Sequence, residues 1–275
     1  MINIQLTPVV KNILIVNVLL WVATLMVPVL ELDHHLAMYA VDSEHFRPWQ
    51  FISHIFMHAT RAGGSIVLSH ILMNSLGILF IGPMIENTLG SKRFFGFYIL
   101  TGLGAAALHL GLSKLYLNYL SVELYEFTIN ASSTQYYEIA DKIVGSRLLN
   151  EVPEISNLHY QIGKSLSPKN ISEVNIKYAE SFLSQFISFQ ADTPMVGASG
   201  SIYGLIAGMA VLAPNQKIQL LFPPIPIKTK WLALALGGYA FYQGMQFNPD
   251  DNIGHFAHLG GALIGAVLIY QWKKH

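Results

Sequence analysis

The sequence predicts an all-α polytopic membrane protein: six membrane-crossing helices in a bundle, with an extramembrane insertion between the third and fourth. Three observations carry this expectation. The 275 residues are 52% hydrophobic but only 12% charged, about half the charge of a soluble domain, and mean hydropathy is +0.43. The apolar residues gather in stretches of roughly 20 residues, the length that crosses a hydrocarbon core about 30 Å thick. Between two of these stretches lies a long polar segment, residues 117–190.

The predicted spans run from about Val9 to Leu30, Ile66 to Ile85, Phe94 to Leu115, Val196 to Ala213, Trp231 to Met245 and Gly254 to Trp272. Backbone groups left unpaired in lipid are costly, which makes each span a helix. The first span is long, lacks a small-residue cleavage site and is followed by further spans, so it reads as a retained helix and not a signal peptide. The organisation expected is 1–116 for helices one to three with an interfacial loop, 117–190 for an extracytoplasmic lobe, and 191–275 for helices four to six. In the lobe, Glu138–Leu149 and Val174–Phe189 read as helical, with Pro153 and Pro168 as breakers. The loop Glu31–Ser65 mixes Phe46, Trp49, Phe51, Ile52, Ile55 and Phe56 with polar residues, a composition suited to the bilayer interface.

Lys11, Lys92, Arg93, Lys217, Lys228, Lys230, Lys273 and Lys274 fall on one side of six alternating spans, against Arg47 and Arg61 opposite. Both termini are therefore expected in the cytoplasm, in a bacterial inner membrane. Formal net charge is zero and no basic cluster points to nucleic acid. The chain has no Cys, which excludes disulfides, thiolate metal sites and cysteine nucleophiles.

Polar side chains inside apolar helices are costly without partners, so they face a bundle interior or a wet cavity. Four stand out: His70 and Asn74 in span two, Ser199 opening span four, and His258 in span six. Ser199 lies in Gly197-Ala198-Ser199-Gly200, where glycines permit a tight turn into a helix and a close backbone approach. Free N–H groups at a helix start favour a developing oxyanion. Taken alone, Ser199 reads as a small packing residue. Gly200, Gly204 and Gly208 make one smooth face, and Gly261 and Gly265 make another that His258 shares. Contact between those faces would bring the imidazole to the serine, where it can take the hydroxyl proton and later protonate a leaving amine. No Asp or Glu lies in either span to complete a triad.

Tyr203, one turn after Ser199, either stacks on that imidazole or is an ordinary interfacial aromatic. His70 and Asn74, at i and i+4, are either oxyanion donors or interhelical hydrogen-bonding pairs. His255 is the second candidate base. His54 and His58 read as structural residues, and His109 as a hydrogen-bonded core residue. No His-Glu-x-x-His motif or matching acidic ligand suggests a metal, and no cofactor is expected.

In His70-Ile-Leu-Met-Asn74, Gly197-Ala-Ser199-Gly200 and Ala257-His258-Leu-Gly-Gly261 with Gly265, in that order, the chain resembles the rhomboid intramembrane serine proteases. The resemblance covers about 200 residues and leaves out the insertion. It implies a catalytic Ser199, His258 as general base, and an oxyanion site formed by His70, Asn74 and the Ser199 N–H. It also implies Tyr203 in support of the His258 ring and structural roles for Glu86 and Gly90. The loop with Trp49 resembles the family's membrane-embedded loop, with Gln50 where Arg is common, and the spacing from His58 to His70 is longer than usual. Expected partners are transmembrane protein substrates and membrane lipid. The alternative is a rhomboid-like protein that binds membrane clients without cutting them. A small-solute transporter would be expected to show intramembrane charges or inverted repeats, and neither is clear.

Overall fold

The computed structural model describes residues 6–62, 64–219, 225–248, 251 and 253–273. Lys274, one of the cations used for orientation, lies outside them. Twelve α-helices are present among the described residues: α1 Pro8–Met26, α2 Leu32–Leu36, α3 Gln50–Ser53, α4 Ser69–Leu89, α5 Ser91–Ile129, α6 Ser133–Val144, α7 Ser146–Glu151, α8 Pro153–Ser165, α9 Glu173–Ala191, α10 Ser199–Leu212, α11 Thr229–Gly244 and α12 His255–Trp272. Two small hairpins join them, β1 (Arg61–Ala62) with β2 (Ser65–Ile66) and β3 (Lys217–Gln219) with β4 (Pro226–Lys228).

A helix occupies each predicted span, with three differences in extent. The first ends early, at Met26, because Val27 leaves helical geometry ahead of Pro28. The third continues as one helix of 39 residues to Ile129, since no glycine or proline follows Gly111 to stop it. α10 has only 14 residues, about 21 Å at 1.5 Å per residue. Among the described residues three helices, α1, α4 and α5, are long and apolar enough to cross a membrane.

The chain divides into two compact units, and the boundary falls inside α5. The first unit comprises Met1–Leu110, Pro194–Gly244 and Gly254–His275. Its core joins Val10 and Ile13 of α1, Ile78, Ile81 and Ile85 of α4, Phe94, Phe97 and Tyr98 of α5, and Ile202, Leu205 and Met209 of α10. Glu86 fastens two of these helices together. Its carboxylate accepts from the Val9 and Val10 amides at 3.0 Å and from the Thr7 and Ser91 hydroxyls, so the free N–H groups that open α1 are satisfied by a charge on α4. α4 then stops at Gly90, whose φ of +76° favours glycine.

Gln50 holds the loop before α4. Its side chain is fully buried; it donates to the His35 and His45 carbonyls and accepts from the Arg47 amide. An uncharged amide, with donors and an acceptor on one group, thus fastens this loop without an arginine. Trp49 is half-exposed, and its indole N–H donates to the His35 carbonyl.

The second unit comprises Gly111–Thr193 and Met245–Ile253. Leu120, Leu124 and Phe127 of α5 pack with Tyr136, Ile139, Ile143, Ile162, Phe182 and Leu183. Ser132 and Ser172 cap α6 and α9 by accepting from the amides of Gln135 and Asn175. The run expected as one helix over Glu138–Leu149 is two, broken at Gly145 with φ of +90°. Pro153 interrupts the helix as expected: Val152 before it is extended and ends α7, while Pro153 itself takes the first position of α8, where no N–H is needed. The segment after α11 belongs to this unit: the Phe247 ring stacks on Tyr116 at 4.7 Å.

Candidate functional site

The site is built where α10 and α12 run side by side. Their glycine faces meet backbone to backbone: a Cβ on Gly261 would stand 2.6 Å from the Gly200 carbonyl carbon, and one on Gly265 would stand 2.6 Å from the Gly204 Cα. Gly200 faces Gly261 and Gly204 faces Gly265, so the helices are parallel and their N-terminal ends lie together. Ser199 is the first residue of α10, and His258 sits in the first turn of α12. The consequence is direct: His258 Nε2 lies 2.9 Å from Ser199 Oγ.

The same stripe on α10 is also pressed from the other side. Cβ atoms on Gly204 and Gly208 would meet Thr101 at 2.6 Å and Phe97 at 2.8 Å, and one on Gly200 would meet Ala105. Phe97, Thr101 and Ala105 recur every four residues on α5 and form a second seam against the α10 glycines, one not expected from the sequence. The i, i+4 spacing was its available signal. Ser201 adds a hydrogen bond from its hydroxyl to the Tyr98 carbonyl at 2.8 Å.

The chain leading into Ser199 is fixed by backbone pairing. Met38 and Met195 exchange two antiparallel hydrogen bonds at 2.8 and 2.9 Å, and the Gly197 amide donates to the His54 carbonyl at 2.9 Å. Gly197 has φ of +120°, where a side chain is strained. Its bare Cα is needed for a second reason. A Cβ there would lie 2.8 Å from His70 Nε2 and 3.7 Å from Asn74 Nδ2, filling the space in front of both nitrogens. His70 and Asn74 therefore face the turn two residues before Ser199, from one side of α4.

The His258 ring is buried and closely held. Tyr203 lies parallel to it, with centroids 4.1 Å apart and planes 5° from coplanar. His255 meets it edge-on at 6.1 Å and itself packs edge-on to Tyr239 at 5.9 Å. Nδ1 of His258 is buried with no hydrogen-bond partner among the described residues, so no carboxylate orients the ring, and aromatic packing does. His54 is buried, with Nδ1 2.7 Å from the Gln50 carbonyl, and His58 Nδ1 lies 3.2 Å from the Phe56 carbonyl. His109, expected to be hydrogen-bonded, has a buried Nδ1 without a partner among the described residues. Among the described residues no group of three or more His, Asp or Glu side chains could hold a metal ion.

A hydroxyl with an imidazole nitrogen in hydrogen-bond reach, and two side-chain nitrogens beside a helix N-terminus, are groups that could serve acyl transfer. The family model for the Rhomboid domain matches residues 45–128 and 174–274. No curated protein matches the chain.

Proposed function

We propose that this chain, which belongs to the rhomboid family, is an intramembrane serine endopeptidase that cuts other membrane proteins in or near their transmembrane segments. The family is one of intramembrane serine proteases and includes inactive members, and the chain is an integral membrane protein. One observation carries the reading that this member is active: the 2.9 Å approach of His258 Nε2 to Ser199 Oγ, on helices whose glycines leave no slack between them.

Acting as base requires the proton of the neutral His258 ring on Nδ1, leaving Nε2 to accept from the serine hydroxyl. Ser199 Oγ then attacks the scissile carbonyl carbon as its proton passes to Nε2. The carbonyl oxygen becomes an oxyanion, received by the Ser199 backbone N–H, His70 and Asn74. Collapse of this intermediate breaks the C–N bond, and the imidazolium gives its proton to the departing amine. Water, deprotonated by the same ring, releases the acyl group from Ser199. No cofactor takes part in these steps. The substrate segment must unwind locally, because a helical carbonyl is already bonded and shielded, so helix-breaking small residues are expected at the cleavage point. The setting proposed is a bacterial inner membrane, with six spans, both termini cytoplasmic and the catalytic face open to the extracytoplasmic side.

The test is cleavage of a model transmembrane substrate by purified protein in detergent or liposomes. Ser199→Ala and His258→Ala should both abolish product. Equal product from wild type and both variants would end the protease reading. A fluorophosphonate probe should label Ser199 only while His258 is intact.

A further inference from the structure

Two backbone-mediated hydrogen bonds connect α1 to the oxyanion side of the site. Trp21, on α1, has a buried indole whose Nε1–H donates to the Ala59 carbonyl at 3.1 Å. Ala59 lies in the extended stretch between the 3-10 turn His54–Phe56 and β1. Its own amide N–H donates to His70 Nδ1 at 3.2 Å. A ring nitrogen that accepts from an amide carries no proton, so the second contact excludes both the imidazolium and the Nδ1–H tautomer. The proton of the ring is placed on Nε2, the nitrogen that faces bare Gly197. The His58 ring lies against the same imidazole at 5.4 Å.

We propose that Trp21 is a positioning residue for His70, acting through the backbone of Ala59 to keep the Nε2–H pointed at the oxyanion. This rests on the reading of His70 as an oxyanion donor. The Ala59 peptide offers its carbonyl to one helix and its amide to another. Losing the indole donor frees that peptide plane to rotate. Once its N–H turns away from Nδ1, the His70 ring can take the other tautomer, which presents an acceptor to the oxyanion where a donor is required. The effect belongs to the transition state, so it appears in kcat and not in KM.

A double-mutant cycle in the full-length protein separates this role from general support of the fold. Trp21→Phe retains an aromatic ring and deletes the N–H. Loss of a whole oxyanion donor costs about 10²–10³-fold; for a donor that is only misdirected, we expect kcat to fall about 10-fold with KM unchanged. In a His70→Ala background the same change should cost less than about 2-fold, because the coupled partner is gone. Trp21→His, which returns a ring N–H, should recover part of the loss. An equal fold-loss in both backgrounds, no loss in either, or a histidine variant as slow as the phenylalanine one overturns the proposal. His70→Ala cutting as fast as wild type would instead sink the oxyanion reading itself, and the two failures are told apart by that single variant.

Discussion

Replacing Gly261 by alanine tests whether close approach of α10 and α12 is what makes the Ser199–His258 pair. The new Cβ would stand 2.6 Å from the carbonyl carbon of Gly200 and nearer still to its oxygen. Non-bonded carbons settle at about 3.5–4.0 Å, so the two backbones must part by about 1 Å. Neither obstacle is a side chain that can rotate aside. The Ser199–His258 contact spans the same helices one turn away, so its 2.9 Å separation widens toward about 4 Å, beyond hydrogen-bond reach. A displacement of that size costs about 10²-fold in rate. The assay is kcat/KM on a fluorogenic transmembrane substrate in detergent, with thermal unfolding followed in parallel. Gly238→Ala on α11 is the control, because a Cβ there meets nothing within 4 Å. It should leave activity unchanged and stabilise by up to about 0.5–1 kcal/mol, the ordinary gain from glycine to alanine within a helix. A folded Gly261→Ala protein that keeps more than about a third of wild-type activity would refute the reasoning, since the expected loss is about 10²-fold.

Tyr203→Ala should lower kcat about 3–10-fold through loss of a ring stack worth about 0.5–1.5 kcal/mol, whereas Tyr203→Phe, which keeps the stack, should stay within about 2-fold; equal losses in the two would show that the hydroxyl matters instead. Glu86→Gln weakens the charge-assisted bonds to the Thr7 and Ser91 hydroxyls and the Val9 and Val10 amides, each worth about 1.5–3 kcal/mol. A clear fall in the unfolding midpoint is expected, and an unchanged midpoint would deny the capping role. In the lobe, burial lowers the His159 imidazole below its ordinary 6.5, and the ring lies against Tyr136 at 5.3 Å. The unfolded lobe therefore takes up this proton at higher pH than the folded one. Its contribution to stability is full above 6.5 and is lost as pH falls through the depressed folded value. Amide exchange from α6 and α8 should quicken at about pH 5 relative to pH 7.5 beyond its intrinsic change, and His159→Gln should flatten that difference.

The sequence alone determined the class of molecule and where its helices lie, because lipid enforces the helix in any sufficiently long apolar run. It also singled out Ser199, His258, His70 and Asn74, since polar groups at such positions are costly without a use. Glycine at four-residue intervals marked the faces of α10 and α12 that touch. Tertiary structure decided the rest. The second seam on α10, formed by Phe97, Thr101 and Ala105, depends on which helices become neighbours, and spacing within one helix does not state that. The run of α5 to Ile129, the break at Gly145 and the placing of 245–253 with the lobe follow from local stop signals and packing that hydropathy does not encode. The buried place of Gln50, with its amide bonded to the His35 and His45 carbonyls, is likewise set by how the loop folds. The reason in each case is the same: periodicity along a chain reports a face, while what meets that face is set by contacts between residues far apart in sequence.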